Sequence, residues 1–564
     1  MSKTSTNYTG LHYVKEDSIG VTPTNPTFQT IPSKGSSLQG NITTAVSMAI
    51  RSDRQTDDLI LVDSNVNGSL DVELSFTPYL DFLQSLLQDN NTDNFNALDG
   101  INLLSATGND FTFLEADNSL NSVTPRFLGL TKGDTIFISD ALNPENNGQF
   151  TVAATATATK VLLTTDRLVT EATSADMLTV EYPAYHNDVS FTKATKSITS
   201  TAYSFAGLVP GDKIYVKGAT NKSNNGQFTV KTAPVAPFHT VFLKGVRSNK
   251  IVDEAAGALV RFRTPSLTAV NDISFNTGTG PTVNEIISST TSFATFVSGS
   301  FILVSGAANA ANNGVFEIAT VAPHKITLTN DKTLVDEPAG NGIKITQNVF
   351  RNGNANVDSY TFLKTVEGIA NQAYMYYKGC QISSLSLDFT TGSILGGSFG
   401  IVGLNETTTT TPLTNQSLVD IPTYSLLNSV SSLSIVSTGL SAGTSFQNIK
   451  LNIDNSVNAA KAIGTLGATD LASFMLNVTA DMSIYFEDLE AYNMYKSASS
   501  FKVVMTLVDG DGNYIVISLP HCKFEKLDSP VPGKDAFLMQ NGSFRALRDP
   551  TLDYTIQMDL LAAH

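Results

Sequence analysis

The middle of this 564-residue chain repeats itself three times, and a tandem repeat restricts the fold before any single residue does. Each copy opens on NDFTF (109–113), NDVSF (187–191) or NDISF (271–275). Each continues with a glycine and an apolar run: GDTIFIS (133–139), GDKIYVK (211–217) or GSFILVS (299–305). Each then has NNGQFTV (146–152), NNGQFTV (224–230) or NNGVFEI (312–318). Copies two and three also share VDEAAG (252–257) and VDEPAG (335–340). Asn and Gly tolerate positive φ, so Asn-Gly ahead of alternating apolar residues predicts a hairpin. Three small β modules in tandem are expected, at 106–184, 185–266 and 267–347.

A subtler duplication flanks the modules. VNGSLDVELSF (66–76) runs into the helical pattern PYLDFLQSLLQ (78–88), and VTADMSIYF (478–486) runs into EDLEAYNMYKSA (487–498). AYMYYKGCQISSLSL (373–387) resembles YIVISLPHCKFEKL (514–527), with Cys380 and Cys522 in matching places, and GGSFGIVGL (396–404) parallels NGSFRAL (541–547). Two copies of one β domain with a flanking helix are therefore expected. The first is 1–105 plus 348–430, interrupted by the modules; the second is 431–564. TTTTT (407–411) reads as a connecting or loop segment.

Charge follows this division. Residues 106–347 hold 20 acidic and 18 basic residues, net −2; the remainder holds 31 and 17, net −14, together the −16 of the whole chain. Clamping nucleic acid needs basic patches, and none is found. Thr, Phe, Val and Ile suit pleated strands, and Ser, Asn and Gly suit turns, so the composition reads as mainly β. No apolar run is long enough to span a membrane, and MSKTSTNYTGLHY does not read as a secretory signal. It reads as a polar arm, extended around Pro23 and Pro26. Two cysteines make no disulfide framework, and buried free thiols are expected.

The segments IRSDRQTDDLI (50–60), VNGSLDVELSF, GCQISSLSLDFTTGSILGGSFGIVG (379–403), AIGTLGATDL (462–471), YFEDLEAY (485–492) and FRALRDP (544–550) together resemble the tail tube, or major tail, proteins of siphoviruses. The resemblance covers 1–100 and 348–564; the 106–347 insertion departs from it. It implies β-sandwich or barrel domains with a helix, stacked as homo-oligomeric rings in the virion tail. Long strands of all subunits would join in one barrel around a lumen that DNA crosses without specific binding. It also implies tape measure and tail tip or terminator proteins as partners, and no membrane.

Strand alternation makes Asp71, Glu73, Ser384, Ser386, Asp388, Thr479, Asp481 and Ser483 the candidates for lining that lumen, where carboxylates would repel phosphate. Mixed charge at Arg51, Asp53, Arg54, Asp57 and Asp58 makes that loop the candidate for contacts between rings. Two tube domains per chain favour a trimer with pseudo-six-fold symmetry, with a hexamer as the alternative.

No cofactor or metal is expected. The six histidines are scattered without metal-ligand spacing. DGDGN (509–513) has Pro520 where a calcium loop needs its twelfth-position Glu, so it reads as a β-turn. The glycines of GSILGGSFG (392–400) lack the GK[ST] of a phosphate loop and read as a bend or bulge. Glu487–Asp488 sits at a helix start, where negative charge suits the dipole. An enzyme is disfavoured, because no carboxylate pair or nucleophile constellation can be nominated. The alternative function is a tail-associated adhesin whose tandem modules contact the host surface.

Overall fold

The computed structural model describes residues 5–88 and 103–561, except for scattered positions and runs such as 173–177, 206–212, 245–250, 278–283, 420–426, 428–432 and 439–444. It is mainly β. The chain divides into two compact units, Met1–Asn90 with Phe350–Met558, and Asn91–Val349 with Asp559–His564.

In the first unit we number strands β1 (Thr9–Lys15), β2 (Thr27–Thr30), β3 (Gln39–Val46) and β4 (Leu59–Glu73), followed by helix α1 (Leu80–Leu87). Next come β5 (Tyr360–Val366), β6 (Ala373–Thr390), β7 (Gly396–Gly403), β8 (Leu433–Thr438), β9 (Phe446–Asp454) and β10 (Asn477–Tyr485). Helix α2 (Glu490–Ser497), β11 (Phe501–Val508), β12 (Tyr514–Asp528) and β13 (Met539–Ala546) follow. Two runs of antiparallel pairing are present. One is β1–β5–β6–β7–β4–β3. The other is β8–β11–β12–β13–β10–β9. They join where β6 pairs with β9, antiparallel from Ser384↔Asp454 to Thr390↔Asn448.

The long strands change partners along their length because they bend. β6 pairs with β5 up to Cys380 and with β7 from Gln381 on, with a register shift between Ile382 and Ser384. Gly379 has φ 63° at that bend, a conformation that costs a side chain dearly, and a Cβ there would sit 2.6 Å from Leu404. The bend is held by Glu16, 6% exposed, whose carboxylate accepts from Gly379 N (3.0 Å), Gly20 N (2.8 Å), Ser359 Oγ (2.8 Å) and Thr361 Oγ1 (2.6 Å). β12 shows the same shift between Phe524 and Lys526.

Helix α1 buries Phe82, Leu83, Leu86 and Leu87. The Phe82 ring lies 4.7 Å from Tyr13, 5.5 Å from Tyr360 and 5.6 Å from Phe399. Burying such a ring is worth about 1.5–3 kcal/mol. Helix α2 starts where Asp488 accepts from Glu490 N at 2.8 Å, and it buries only Ala491.

In this first unit the structure differs from the sequence reading at four places. The threonine tract is not a loop: Asn405–Thr409 is a strand against 374–378, as β-branched threonines favour. The polar arm is a strand from Thr9 on, with Leu11, Tyr13 and Val14 buried and Ser417 N donating to Pro26 O. The glycine-rich stretch makes a turn at Gly392 (φ 76°) and then pairs as β7. With Cys380 set on Cys522, β6–β7 matches β12–β13 when Gly400 falls on Ser543. The textual Gly-Ser-Phe match is therefore two residues out of register.

The second unit contains three separate hydrophobic cores. One gathers Phe111, Phe113, Leu120, Ile138, Phe150 and Val180; the next Phe191, Ile198, Phe205, Phe228, Val241 and Phe262; the last Ile273, Phe275, Ile286, Ile302, Phe316 and Ile343. The NNG text serves each core in an unforeseen way. Asn146, Asn224 and Asn312 are fully buried, and each Nδ2 donates to a valine carbonyl (Val169, Val252, Val335) and to a carboxylate (Glu171, Glu254, Glu337) at 2.7–3.0 Å. Each Oδ1 accepts from the same valine N–H at 2.9 Å. Asn-Gly is thus not the tip of a two-residue hairpin. Gly148 pairs with Ile138, and the loop between them ends on the clamp.

Candidate assembly surface

The strands β3, β4, β7, β6, β9, β10, β13 and the last part of β12 form one continuous antiparallel sheet. One face packs the core through Leu70, Val72, Phe399, Leu385, Leu387, Leu451, Ile453, Met482, Ile484 and Phe544. Alternation puts the polar residues on the other face. The eight residues singled out from strand alternation all lie there, none of them buried.

Pairing arranges them in rows. Glu73 lies opposite Gly396, which faces Asp388, then Lys450, Asp481, Ser543 and Lys526 in turn. Asp71 lies opposite Ser398, then Ser386, Asn452, Thr479, Arg545 and Lys523 follow. Ser384 lies between Gly400 and Asp454, and Ser483 between Asn448 and Asn541. Short hydrogen bonds tie the rows. Ser398 Oγ donates to Asp71 (2.6 Å), Ser386 Oγ to Asn452 Oδ1 (2.9 Å) and Ser483 Oγ to Asn541 Oδ1 (2.7 Å). The cations Lys450, Lys523, Lys526 and Arg545 were missed by the sequence reading. The signal was present in IKLNID (449–454), where Lys450, Asn452 and Asp454 alternate with buried Ile449, Leu451 and Ile453. The face therefore mixes carboxylates with cations in nearly equal number, and Arg545 bonds Glu525 and Asn477.

The sheet ends on strands bonded along one side: β3 to β4, and 523–528 of β12 to β13. β3 and the start of β4 form a hairpin with both faces bare. Ile42, Val46, Met48, Ile50, Leu59, Ile60, Leu61 and Val62 are all exposed, Met48 by 90%. Of the candidate loop between rings, Arg51, Arg54 and Asp57 lie outside the described residues. Asp53 accepts from Gln55 N and Asp58 from Leu59 N, so both carboxylates bond the loop's own backbone. A second hairpin, Asn458–Lys461 with Ala468–Ala472, follows β9. Its Lys461 hydrogen-bonds Asp63, which holds that carboxyl below the usual carboxylate range.

Among the described residues no cluster of His, Cys, Asp and Glu is arranged to hold a metal, and no helix is long and apolar enough to cross a membrane. Cys380 and Cys522 are both buried and unpaired; burial pushes the Cys380 thiol well up and that of Cys522 to about 12. At 509–513 Asp509 accepts from Asp511 N and Asn513 N, both 2.9 Å, which closes a turn.

A family model described as phage tail tube protein matches residues 6–546. A comparison with curated proteins finds no match.

Proposed function

The chain belongs to the phage tail tube protein family, a virion tail component with a structural and non-enzymatic role that assembles into a tube. From that premise we propose that the polar face of the β3–β12 sheet lines the lumen of a siphovirus tail tube, and that three chains close each ring. The observation that carries this reading is the continuity of that face across both pairing runs, with one-sided strands at its two ends. Closing a ring consumes such edges, which otherwise aggregate. Two tube domains per chain, one from each run, give pseudo-six-fold symmetry from three copies; six copies would be needed if one domain alone contributed.

Asp71, Glu73, Asp388 and Asp481 keep phosphate from settling on the wall, while Lys450 between Asp388 and Asp481 limits their mutual repulsion. DNA passes without specific binding. The loop that carries Asp53 and Asp58 makes the contacts between rings. The modules at 106–184, 185–266 and 267–347 decorate the tube's exterior, because an insertion must leave the barrel intact. Tape measure and tail tip or terminator proteins are its partners in the tail.

Negative-stain microscopy of the purified chain tests this. Rings or hollow tubes with lateral knobs are expected, with the knobs gone and the tube kept after deletion of 106–347. Monomers or isolated trimers that never stack would defeat the reading and favour an adhesin.

A further inference from the structure

The two pairing runs meet at a junction inside the chain. Where β6 meets β9, Leu385 lies opposite Ile453 and Ser386 opposite Asn452. Beside that seam the 458–472 hairpin folds over the first run. Val457 and Leu471 are buried with Leu404, against Ile19 and Val402, and Lys461 pairs with Asp63.

The strand registers of the two pairing runs can be set in correspondence residue by residue. The strand shifts at 382/384 and 524/526 coincide when Cys380 is set on Cys522. Carried through β7/β13 and β4/β10, the register sets Asn452, Ile453 and Asp454 on Gln39, Gly40 and Asn41. It continues into the hairpins, where the pair Ala459↔Leu471 falls on Val46↔Leu59. The counterparts differ sharply in exposure. Leu471 is 6% exposed and Leu59 59%; Lys461 and Asp63 hold each other, while their counterparts Met48 and Met475 are 90% and 71% exposed. The second hairpin is covered by its own chain at Val457 and Leu471, and among the described residues nothing of the same chain covers Leu59 or Met48 in the matching place.

We infer that a second copy of this chain supplies the cover. β3 of one subunit adds to the 523–528 edge of the next, with Gln39 opposite Asp528, Gly40 opposite Leu527 and Asn41 opposite Lys526. The 39–62 hairpin then lies across the neighbour's second run, with Met48 against Met475 where the internal seam has Lys461 against Asp63. Apolar residues fit this place because their surface is released from water when the subunits meet. The inference rests on the tube reading and adds its register.

The test is a pair of cysteines in the full chain, Gln39→Cys with Asp528→Cys. Opposed residues of antiparallel strands have Cα atoms about 4.5–5.5 Å apart, within the roughly 4.4–6.8 Å that a disulfide spans. The native thiols are buried and stay out of the exchange. Mild oxidation should give a covalent ladder on non-reducing gels that ends at the number of chains per ring. Either single variant, and the misregistered pair Thr43→Cys with Asp528→Cys, should give none. A second measurement does not depend on oxidation. Met48→Lys alone should lower the assembled fraction roughly tenfold or more, because an ammonium is buried without a partner. Adding Met475→Asp should restore assembly and make it salt-sensitive, as the Lys461–Asp63 pair would be. Rings visible by microscopy without the Gln39/Asp528 cross-link, or with an equal yield from the misregistered pair, would overturn the register while leaving the tube standing. Absence of any ring from the unmodified chain would overturn both.

Discussion

Asp110 and Asp188 show how much one carboxylate can organise. Burial opposes the ionisation of Asp188, but the backbone N–H of Ala202, the hydroxyls of Thr201 and Ser200 and the Thr201 N–H outweigh it and hold the group at about 2. Asp110 is held at about 2 against the same burial by Thr124 N and Ser122, with Arg126 beside it. A carboxyl depressed from 3.8 stabilises the fold above its unfolded value, and that contribution is lost as pH falls through about 2. The melting temperature of the second compact unit should therefore drop between about pH 4 and pH 2. Asp188→Asn should remove most of that slope and cost about 1–3 kcal/mol at neutral pH. Calorimetry across that range checks both; an unchanged slope in the variant would show that other carboxylates set it. The sequence displays these aspartates as the second letter of the ND text. Their role was illegible because the donors lie 12–14 residues away.

At the scale of elements, one asparagine clamp accompanies each of the three cores of the second unit. Asn224 satisfies both backbone groups of Val252 and one oxygen of Glu254, whose carboxylate also takes Thr220 N and Asn221 N. Asn224→Ala would strand these buried groups at a cost of roughly 2–4 kcal/mol. Faster amide exchange is expected at Val252, Thr220 and Asn221, with exchange in the 301–346 strands unaltered, since that core is separate. Protection kept at Val252 would mean that water replaces the side chain. The spacing from NNG to the glutamate, in VTE as well as VDE, was the signal for this pairing. Turn chemistry alone explained the same letters well enough to hide it. The helices were legible from their apolar spacing, but not that α1 would be buried among Tyr13, Tyr360 and Phe399 while α2 stayed mostly exposed.

For the molecule as a whole, two compact units with separate cores imply separate stability. Deleting 106–347 should leave the β circular-dichroism signal and melting transition of the remaining chain within a few degrees of its value in the full chain, about what a 1 kcal/mol change produces in a domain of this size. Loss of cooperative melting would show that the units depend on one another. The sequence by itself determined the β class, the three-fold repeat, the alternation of polar and apolar residues along each strand, and the family resemblance. All of these are local in the chain, because a strand's two faces follow from its period of two and repeats are read directly. Only the tertiary structure decided which strands are neighbours. Strand pairing joins residues hundreds of positions apart, as in Ser398 with Asp71, so it leaves no local trace. It is pairing that assembles the candidate residues into rows, adds Lys450 and Arg545 among them, and leaves β3 and the end of β12 each bonded on one side.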